Sequence, residues 1–313
     1  MSSSEKKGTQ VFPRQTHAVE DLTAACSDIT ALSIKIKEIK ITQDAAGAFC
    51  SLVRGDNRSW EAIAVDILRQ KARWQSITLD ACTGDYIDRC ITLLLSLDNV
   101  HTLNMSSIKL TTFSAYALES IGFNKHLKVL ELDLLDLSHA IPVLAKGLKR
   151  NKSLEILTAS RCGLGDDQVA ELIGSLEHHP EIQELKLFGN KCRQNGLLAV
   201  TNLLQDPNTK IRFLDLSYQH VGEGEDFDIS WLGAALTNNK SLKILDMDND
   251  SIDDGHLSHL IAALCENATL EDLRLNHNLI TGDGVGLLAS KFSKMKGLKK
   301  LSMYSNKFDA APK

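Results

Sequence analysis

The sequence predicts an α/β solenoid in which short parallel strands and helices alternate along a single stack. The first observation is an eleven-residue frame that recurs nine times from Trp74, with its clearest copy, LEDLRLNHNLI, at Leu270–Ile280. The second is the distance between copies, 26 to 31 residues, a period typical of stacked repeats. The third is a helical pattern of apolar residues after the frames. The frames begin at Trp74, Val100, Leu127, Leu154, Ile182, Ile211, Leu242, Leu270 and Leu298.

The frame itself predicts a strand, and the residues that follow it predict a helix. Apolar residues fill frame positions 1, 4, 6 and 11, and positions 4 to 6 alternate apolar, polar and apolar as a short strand does. In GHLSHLIAALCEN, Leu257, Leu260, Ile261 and Leu264 share one helical face. Because a helix separates consecutive strands, we expect the strands to run parallel.

The region before the first frame is predicted to cap the stack. Residues 1–20 read as a flexible polar tail, 21–73 as a capping region, and 74–313 as the repeat domain of about nine units. SIKIKEIKI, from Ser33, alternates like a strand, and QDAAGAFCSLVRG at 43–55 predicts a short helix. Residues 57–74 fit either an amphipathic helix or another frame beginning at Trp60. The helix is preferred because only fourteen residues separate Trp60 from Trp74, too few for a return helix.

Composition favours an ordinary cytoplasmic protein. The chain has 313 residues, is 43% hydrophobic and carries a net charge of −5, so no basic excess indicates nucleic acid or an anionic membrane. We find no apolar run long enough to span a bilayer and no apolar core of a secretory signal. Seven cysteines without CxxC spacing predict free thiols in a reducing compartment. Matches to N-x-S/T, such as those at Asn151, Asn239 and Asn267, are then interpreted as chance.

The frame resembles that of the ribonuclease-inhibitor-like class of leucine-rich-repeat proteins. LxxLxLxxNxI followed by a full helix carries the likeness over roughly residues 74–308. The resemblance implies a curved stack, with strands on the concave face, helices on the convex face, and binding of another protein rather than chemistry. It also implies that the side chain at position 9 satisfies backbone groups of the turn, except at Ile108 and Leu135, which are apolar. Position 9 is otherwise Cys82, Cys162, Asn190, Gln219, Asp250, Asn278 and Asn306.

Frame positions 3, 5 and 7 should point out from the concave face, where repeat proteins usually bind their partners. Two clusters of side chains fall there or beside it, and together they form the predicted partner-binding site. The aromatic cluster is Phe188, Phe213 and Tyr218, and the charged cluster is Asp215, Asp246, Asp248 and Asp272 with Arg274. Two alternatives remain open. Phe213 and Tyr218 could pack along the rim against neighbouring turns. The carboxylates could be a solvated face with counter-charges from Lys186, Arg212, Lys243 and Arg274.

No motif predicts catalysis, a metal site or a cofactor. DMDNDSIDDG, from Asp246, begins like a calcium-binding loop, but Ser251 stands where glycine is needed and Leu257 where glutamate is needed. His178 and His179 are interpreted as a solvated loop. We therefore predict a non-enzyme that binds another protein.

Three further roles remain as alternatives. Similar repeat proteins include GTPase activators, so regulation in trans is one alternative, and Arg161 and Arg193 lie near the relevant turns. A structural subunit of a larger assembly is another. The final frame has no return helix after it, which leaves edge-mediated self-association as a minor prediction.

Overall fold

The computed structural model describes residues 36–44, 47–56, 74–80 and 91–308, apart from 92–93, 107, 109, 111–116 and 220–227 within the last range. Its strands form one eleven-stranded sheet in chain order. The first two strands are antiparallel, and every later neighbour is parallel. The strands are β1 (Ile36–Asp44), β2 (Gly47–Asp56), β3 (Trp74–Asp80), β4 (Thr102–Asn104), β5 (Val129–Glu131), β6 (Ile156–Thr158), β7 (Glu184–Lys186), β8 (Phe213–Asp215), β9 (Ile244–Asp246), β10 (Asp272–Arg274) and β11 (Lys300–Ser302).

Helices alternate with the strands from β4 onward, as the repeat predicts. In the helix Asp166–Gly174, Val169, Leu172 and Ile173 are buried, because helical spacing places them on the face toward the sheet. None of the helices in the described part of the chain is long and apolar enough to cross a membrane. The helices are a 3-10 helix at Leu118–Phe123, then α1 (Ile141–Arg150), α2 (Asp166–Gly174), α3 (Gln194–Gln205), α4 (Ser230–Asn238), α5 (Asp254–Glu266) and α6 (Gly282–Lys291), and a short 3-10 helix at Phe292–Lys294.

The repeat frame maps onto the strands with a shift of one residue. From β4 onward each strand covers frame positions 3 to 5 rather than the predicted 4 to 6. The cause is the pairing between units: Leu273, at position 4, is the centre of three paired residues and lies opposite Leu245 and Leu301. Leu275, at position 6, is fully buried just beyond the strand. Side chains at positions 4 and 6 therefore build one continuous core along the stack.

The position 9 side chains form the predicted ladder of hydrogen bonds at the turn. Asn190 Oδ1 accepts from the backbone N–H groups of Cys162 (3.0 Å) and Leu164 (3.2 Å), and its amide donates to the carbonyls of Ala159 and Leu187. The position 9 side chain of one unit thus bonds to the backbone of the preceding unit, and the ladder fixes the spacing of the turns. Further bonds to the backbone at this position come from Gln219, Asp250, Asn278 and Asn306.

A second ladder lies at the opposite end of the strands, where each helix returns to the sheet. Asn151 is fully buried; its Oδ1 accepts from the N–H groups of Ser153 and Leu154, and its amide donates to the carbonyls of Ile121 and Asn124. This ladder was not predicted from the sequence, and its N-x-S/T matches were interpreted as chance. The sequence feature that could have revealed it is an Asn three residues before the start of a frame. The ladder residues are Asn124, Asn151, Asn239 and Asn267.

His179 takes the ladder place in its unit, so its prediction as part of a solvated loop is wrong. It is 4% exposed, and its Nδ1 accepts from the N–H groups of Glu181 and Ile182 as the asparagine oxygens do. Burial, with a smaller contribution from Lys152, lowers the pKa of His179 to about 4, which keeps the ring neutral. His178 is exposed and contacts Asp206 at 2.7 Å.

The capping region contains a β-hairpin. The strand predicted from Ser33 is confirmed as β1 over Ile36–Ile41. The helix predicted at 43–55 is wrong, because Gly47–Asp56 forms β2. This segment pairs with β1 on one side, where Asp44 faces Gly47, and with β3 on the other, and such pairing overrides a weak local helix preference. The tail at 1–20 and the segment at 57–73 lie outside the described residues, and the predicted domain boundaries stay predictions.

Candidate partner-binding site on the concave face

Three adjacent strands bring together five of the eight predicted site residues. Phe213 and Asp215 begin and end β8, Asp246 ends β9, and β10 contributes Asp272 and Arg274. In the pairing register Asp215 lies beside Asp246, and Asp246 lies beside Arg274. These residues occupy frame positions 3 and 5, so they lie on one face of the sheet, opposite the buried position 4.

Arg274 is the centre of an ion-pair network across these strands. One terminal guanidinium nitrogen lies 3.0 Å from Asp246 Oδ2, and the other lies 3.2 Å from Asp272 Oδ2. Lys300 adds a contact of 3.3 Å to the same Asp272 oxygen. The side chains of Asp246 and Asp272 are 11% and 13% exposed. Two of the four predicted carboxylates are therefore ion-paired, by Arg274, which the counter-charge alternative named, and by Lys300, which it did not.

Asp246 titrates unusually within this network. Burial raises its pKa above the ordinary value, and the nearby carboxylates of Asp248 and Asp215 raise it further. These effects outweigh the opposing hydrogen bonds from the Asp248 backbone N–H and from Arg274.

Asp215 and Asp248 hold the turns after their strands. Asp215 Oδ1 accepts from the backbone N–H (3.0 Å) and the hydroxyl (2.6 Å) of Ser217. The two carboxylate oxygens of Asp248 accept from the backbone N–H (2.7 Å) and the side-chain amide (2.8 Å) of Asn276 in the next unit. Both carboxylates thus carry structural bonds, and removing either would disturb the backbone as well as the surface.

The three predicted aromatic residues separate into two groups. Phe213 is half-buried, and its ring centroid lies 5.2 Å from Lys186 Nζ and 5.7 Å from Arg274 Cζ. Its cations come from strands on either side of β8. Such contacts attract cations to the ring face and hold all three side chains in place. Phe213 therefore belongs to the Arg274 network.

Phe188 and Tyr218 form a separate stack, which we call the aromatic rim. The two ring centroids are 4.8 Å apart in an edge-to-face arrangement, and Arg161 Cζ lies 4.8 Å from the Phe188 centroid. The stack joins side chains from three consecutive units. Tyr218 remains 40% exposed. The alternative of packing along the rim is thus correct in part, while an exposed ring edge is left for a partner.

Tyr218 of the aromatic rim lies at frame position 8, where the backbone is left-handed. Tyr218 has φ +59°, a region that favours glycine and that costs about 1–2 kcal/mol for other residues. The conformation recurs in every unit from Leu127 onward. Its residues are Leu134, Arg161, Gly189, Tyr218, Asn249, His277 and Ser305.

The sequence analysis missed a second aromatic pair on the same edge. The rings of His277 and Tyr304 meet edge to face at 5.0 Å, and Tyr304 is 61% exposed. The sequence feature that could have revealed them is an aromatic residue at position 7 of one unit and one at position 8 of its neighbour, here in the reverse order to Phe188 and Tyr218. Aromatic pairs between neighbouring units therefore occur at two places on this edge.

The described residues offer neither a metal centre nor an activated nucleophile. No group of three or more His, Cys, Asp or Glu side chains among them could hold a metal ion. Within the calcium-like run, Asp250 accepts from the Gln219 N–H, and Asp253 caps α5. Burial raises the pKa of Cys162 to about 12 and also raises that of Cys192, so both thiols stay protonated at neutral pH.

Comparison with known proteins found relatives among leucine-rich-repeat proteins. No protein-family model matches the chain. Mouse (Mus musculus) NACHT, LRR and PYD domains-containing protein 4C is 27% identical over 191 residues, which are 60% of this chain and 19% of that protein. Mouse NACHT, LRR and PYD domains-containing protein 12 is 30% identical over 152 residues, which are 47% of this chain and 14% of that protein.

Ribonuclease inhibitor from Sus scrofa is 26% identical over 153 residues, 49% of this chain and 33% of the inhibitor. The chain thus spans a third or less of each of these relatives. A solved structure from Bacteroides fragilis covers 94% of this chain and 84% of its own at a TM-score of 0.47 and 14% identity, too distant a likeness to carry weight. The relatives and the parallel sheet alternating with helices identify a leucine-rich-repeat solenoid that resembles ribonuclease inhibitor.

Proposed function

We propose that the protein binds another protein through the concave face between β7 and β11, and that it is not an enzyme. The observation that carries the proposal is the Arg274 network, in which one guanidinium joins Asp246 and Asp272 and also lies near the Phe213 ring. Its leucine-rich-repeat relatives favour an interaction module, and ribonuclease inhibitor by its name acts on another protein.

Arginine and aromatic residues suit this role because they supply most binding energy at protein interfaces. Phe213 and Tyr218 would provide apolar contact area, while Arg274 and Lys186 would position polar groups of the partner. Since the ion pairs and ring contacts already hold these side chains, little further conformational entropy is lost when a partner binds. The expected partner surface is therefore mixed, with apolar groups facing the rings, rather than uniformly basic.

The remaining features of the proposal concern cofactors and location. The protein is proposed to need no cofactor and to work in the cytoplasm. The free, buried thiols of Cys162 and Cys192 support a reducing compartment. The alternative of a GTPase activator gains no support from Arg161, whose guanidinium is stacked on Phe188.

The test compares a concave-face variant with a helix-face variant of the full chain. The first carries Phe213→Ala, Tyr218→Ala and Lys186→Glu. The second carries Leu198→Ala and Trp231→Ala, which are 42% and 40% exposed in α3 and α4. Partners captured from cells by the unmodified chain are quantified by mass spectrometry.

We expect the concave-face variant to lose about ten-fold or more in partner recovery, because truncated hot spots weaken binding by that order, while the helix-face variant keeps its partners. Thermal unfolding of both variants controls for misfolding. Equal recovery by the two variants would exclude the concave face. Adding the chain to a panel of small GTPases, with phosphate release as the readout, tests the regulatory alternative.

A further inference from the structure

Lysines are concentrated in one stretch of this acidic protein. Residues 284–308 contain six lysines and no aspartate or glutamate, although the whole chain carries a net charge of −5. The same stretch contains no arginine. The lysines are Lys291, Lys294, Lys296, Lys299, Lys300 and Lys307.

Four of these lysines lie within seven residues, along the chain, of an exposed phenylalanine where α6 returns to the sheet. Lys291 ends α6, Lys294 ends the short 3-10 helix, and Lys296 follows two residues later. Phe292 lies among them and is 58% exposed. We call Lys291, Phe292, Lys294, Lys296 and Lys299 the basic rim.

Three of these cations make no ion pair with any carboxylate in the part of the chain that the structure describes. Among the residues that the structure describes, Lys291, Lys294 and Lys296 make no ion pair, whereas Lys299 contacts Glu271 at 2.7 Å. Lys299 belongs to a row of lysines at or next to the start of a frame that pair across units with an acidic neighbour. Other members of the row are Lys128 with Glu155, Lys210 with Glu181 and Lys243 with Glu271. Lys291, Lys294 and Lys296 lie outside this row, so their charge is left for an external partner.

The backbone beneath the basic rim is fixed. Met295 is 5% exposed, and its N–H donates to the Phe292 carbonyl. Gly297 packs against the main chain of Ala268 so closely that an added Cβ would lie 2.6 Å from its carbonyl carbon. The lysines and Phe292 are thus carried on an ordered loop, which preorganises the surface.

We propose that the basic rim docks an acidic segment of a partner protein, with an apolar side chain of that segment against Phe292. Lysines at a helix C-terminus also complement the helix dipole, but that explains Lys291 and Lys294 and leaves Lys296 and the exposed ring unused. The inference does not depend on the concave-face proposal. The two surfaces are nevertheless continuous, since Lys300 beside the rim contacts Asp272 of the Arg274 network.

A protein segment fits this chemistry better than phosphate-bearing partners do. Arginine gives the planar, two-pronged grip that phosphate recognition favours, and none occurs in the stretch. A single exposed ring also offers little apolar area for insertion into a bilayer. Separate ammonium groups around one ring match separate carboxylates around one apolar side chain.

The test measures binding of a fluorescein-labelled peptide of about fourteen residues, Asp and Glu around a central Leu-Phe pair, to the full chain by anisotropy at low salt. The lysine variant is Lys291→Gln, Lys294→Gln and Lys296→Gln. Its matched control changes three exposed lysines in and after α1, Lys146, Lys149 and Lys152. Phe292→Ala is matched by Phe123→Ala, which is 53% exposed at the end of the first 3-10 helix.

We expect the lysine variant to bind the peptide about ten-fold more weakly and Phe292→Ala about three-fold more weakly, with both controls unchanged. Equal weakening in the controls, or no binding by the unmodified chain, would overturn the proposal. Parallel titrations use phosphatidylserine vesicles and single-stranded oligothymidine. A lysine-dependent signal that is stronger with either of these than with the peptide also overturns it. Neither result bears on the concave-face variant, so the two proposals fail separately.

Discussion

Four buried asparagines, each where a helix returns to the sheet, are single residues on which the joining of units depends. Asn151 shows why asparagine is needed: one side chain accepts from two backbone N–H groups and donates to two carbonyls of the preceding unit. An aliphatic residue can do neither. Aspartate could accept but could not donate. The N-x-S/T matches that looked accidental therefore record a structural requirement.

Replacement of Asn151 by alanine should reduce the free energy of unfolding by about 2–4 kcal/mol, because buried backbone donors and acceptors lose their partners without access to water. Asn208 is the matched control: it also lies three residues before a frame, but its side chain is exposed. Asn208→Ala should change stability by less than about 0.5 kcal/mol. Chemical denaturation of both variants gives the comparison, and similar losses would show that the ladder is dispensable.

At the scale of elements, the turn after each strand depends on a left-handed residue at frame position 8. Gly189 is the one glycine among them, with φ +70°, and it also gives room to a neighbour. An added Cβ would lie 2.9 Å from Arg161 Cγ, the side chain that covers Phe188. The glycine therefore serves the turn and the aromatic rim together.

Gly189→Ala should destabilise the fold by about 1–2 kcal/mol, since the left-handed conformation disfavours a Cβ and Arg161 must shift. The control is Gly286→Ala inside α6, where no atom lies within 4 Å of the added Cβ. Helix propensity predicts that this second change stabilises by about 0.5–1 kcal/mol. Thermal unfolding curves should thus move in opposite directions. A shift of the same sign for both variants would contradict the argument.

The repeated elements could be predicted from the sequence, whereas the segment before the repeats could not. Periodicity predicted the parallel order and the buried helix faces, because the slots for Leu172 or Leu273 repeat in every unit. It misjudged the segment at 43–55, where pairing with β1 and β3 decides the structure. It placed Asp246 and Asp272 on one face and named Arg274 among their counter-charges. It could not show that one guanidinium joins both carboxylates, because the frame specifies a face and not where a long side chain reaches.

At the scale of the whole molecule, stability is distributed among neighbouring units. Each strand pairs with the strands of the units before and after it, and the core runs through the stack without a centre. The position 9 ladder, the second ladder at the helix returns and the ion pairs at the strand edges likewise join adjacent units. A repeat array with only nearest-neighbour contacts should respond to damage locally.

Leu214→Ala tests this locality. Leu214 is fully buried at the centre of β8, between Leu185 and Leu245, so its truncation should leave a cavity and cost about 2–5 kcal/mol. Amide hydrogen exchange followed by mass spectrometry should show the largest loss of protection in β7, β8 and β9. Protection should recover with distance toward β5 and β11, because coupling passes only from unit to unit. A uniform loss along the stack would instead show that the solenoid unfolds as one cooperative body.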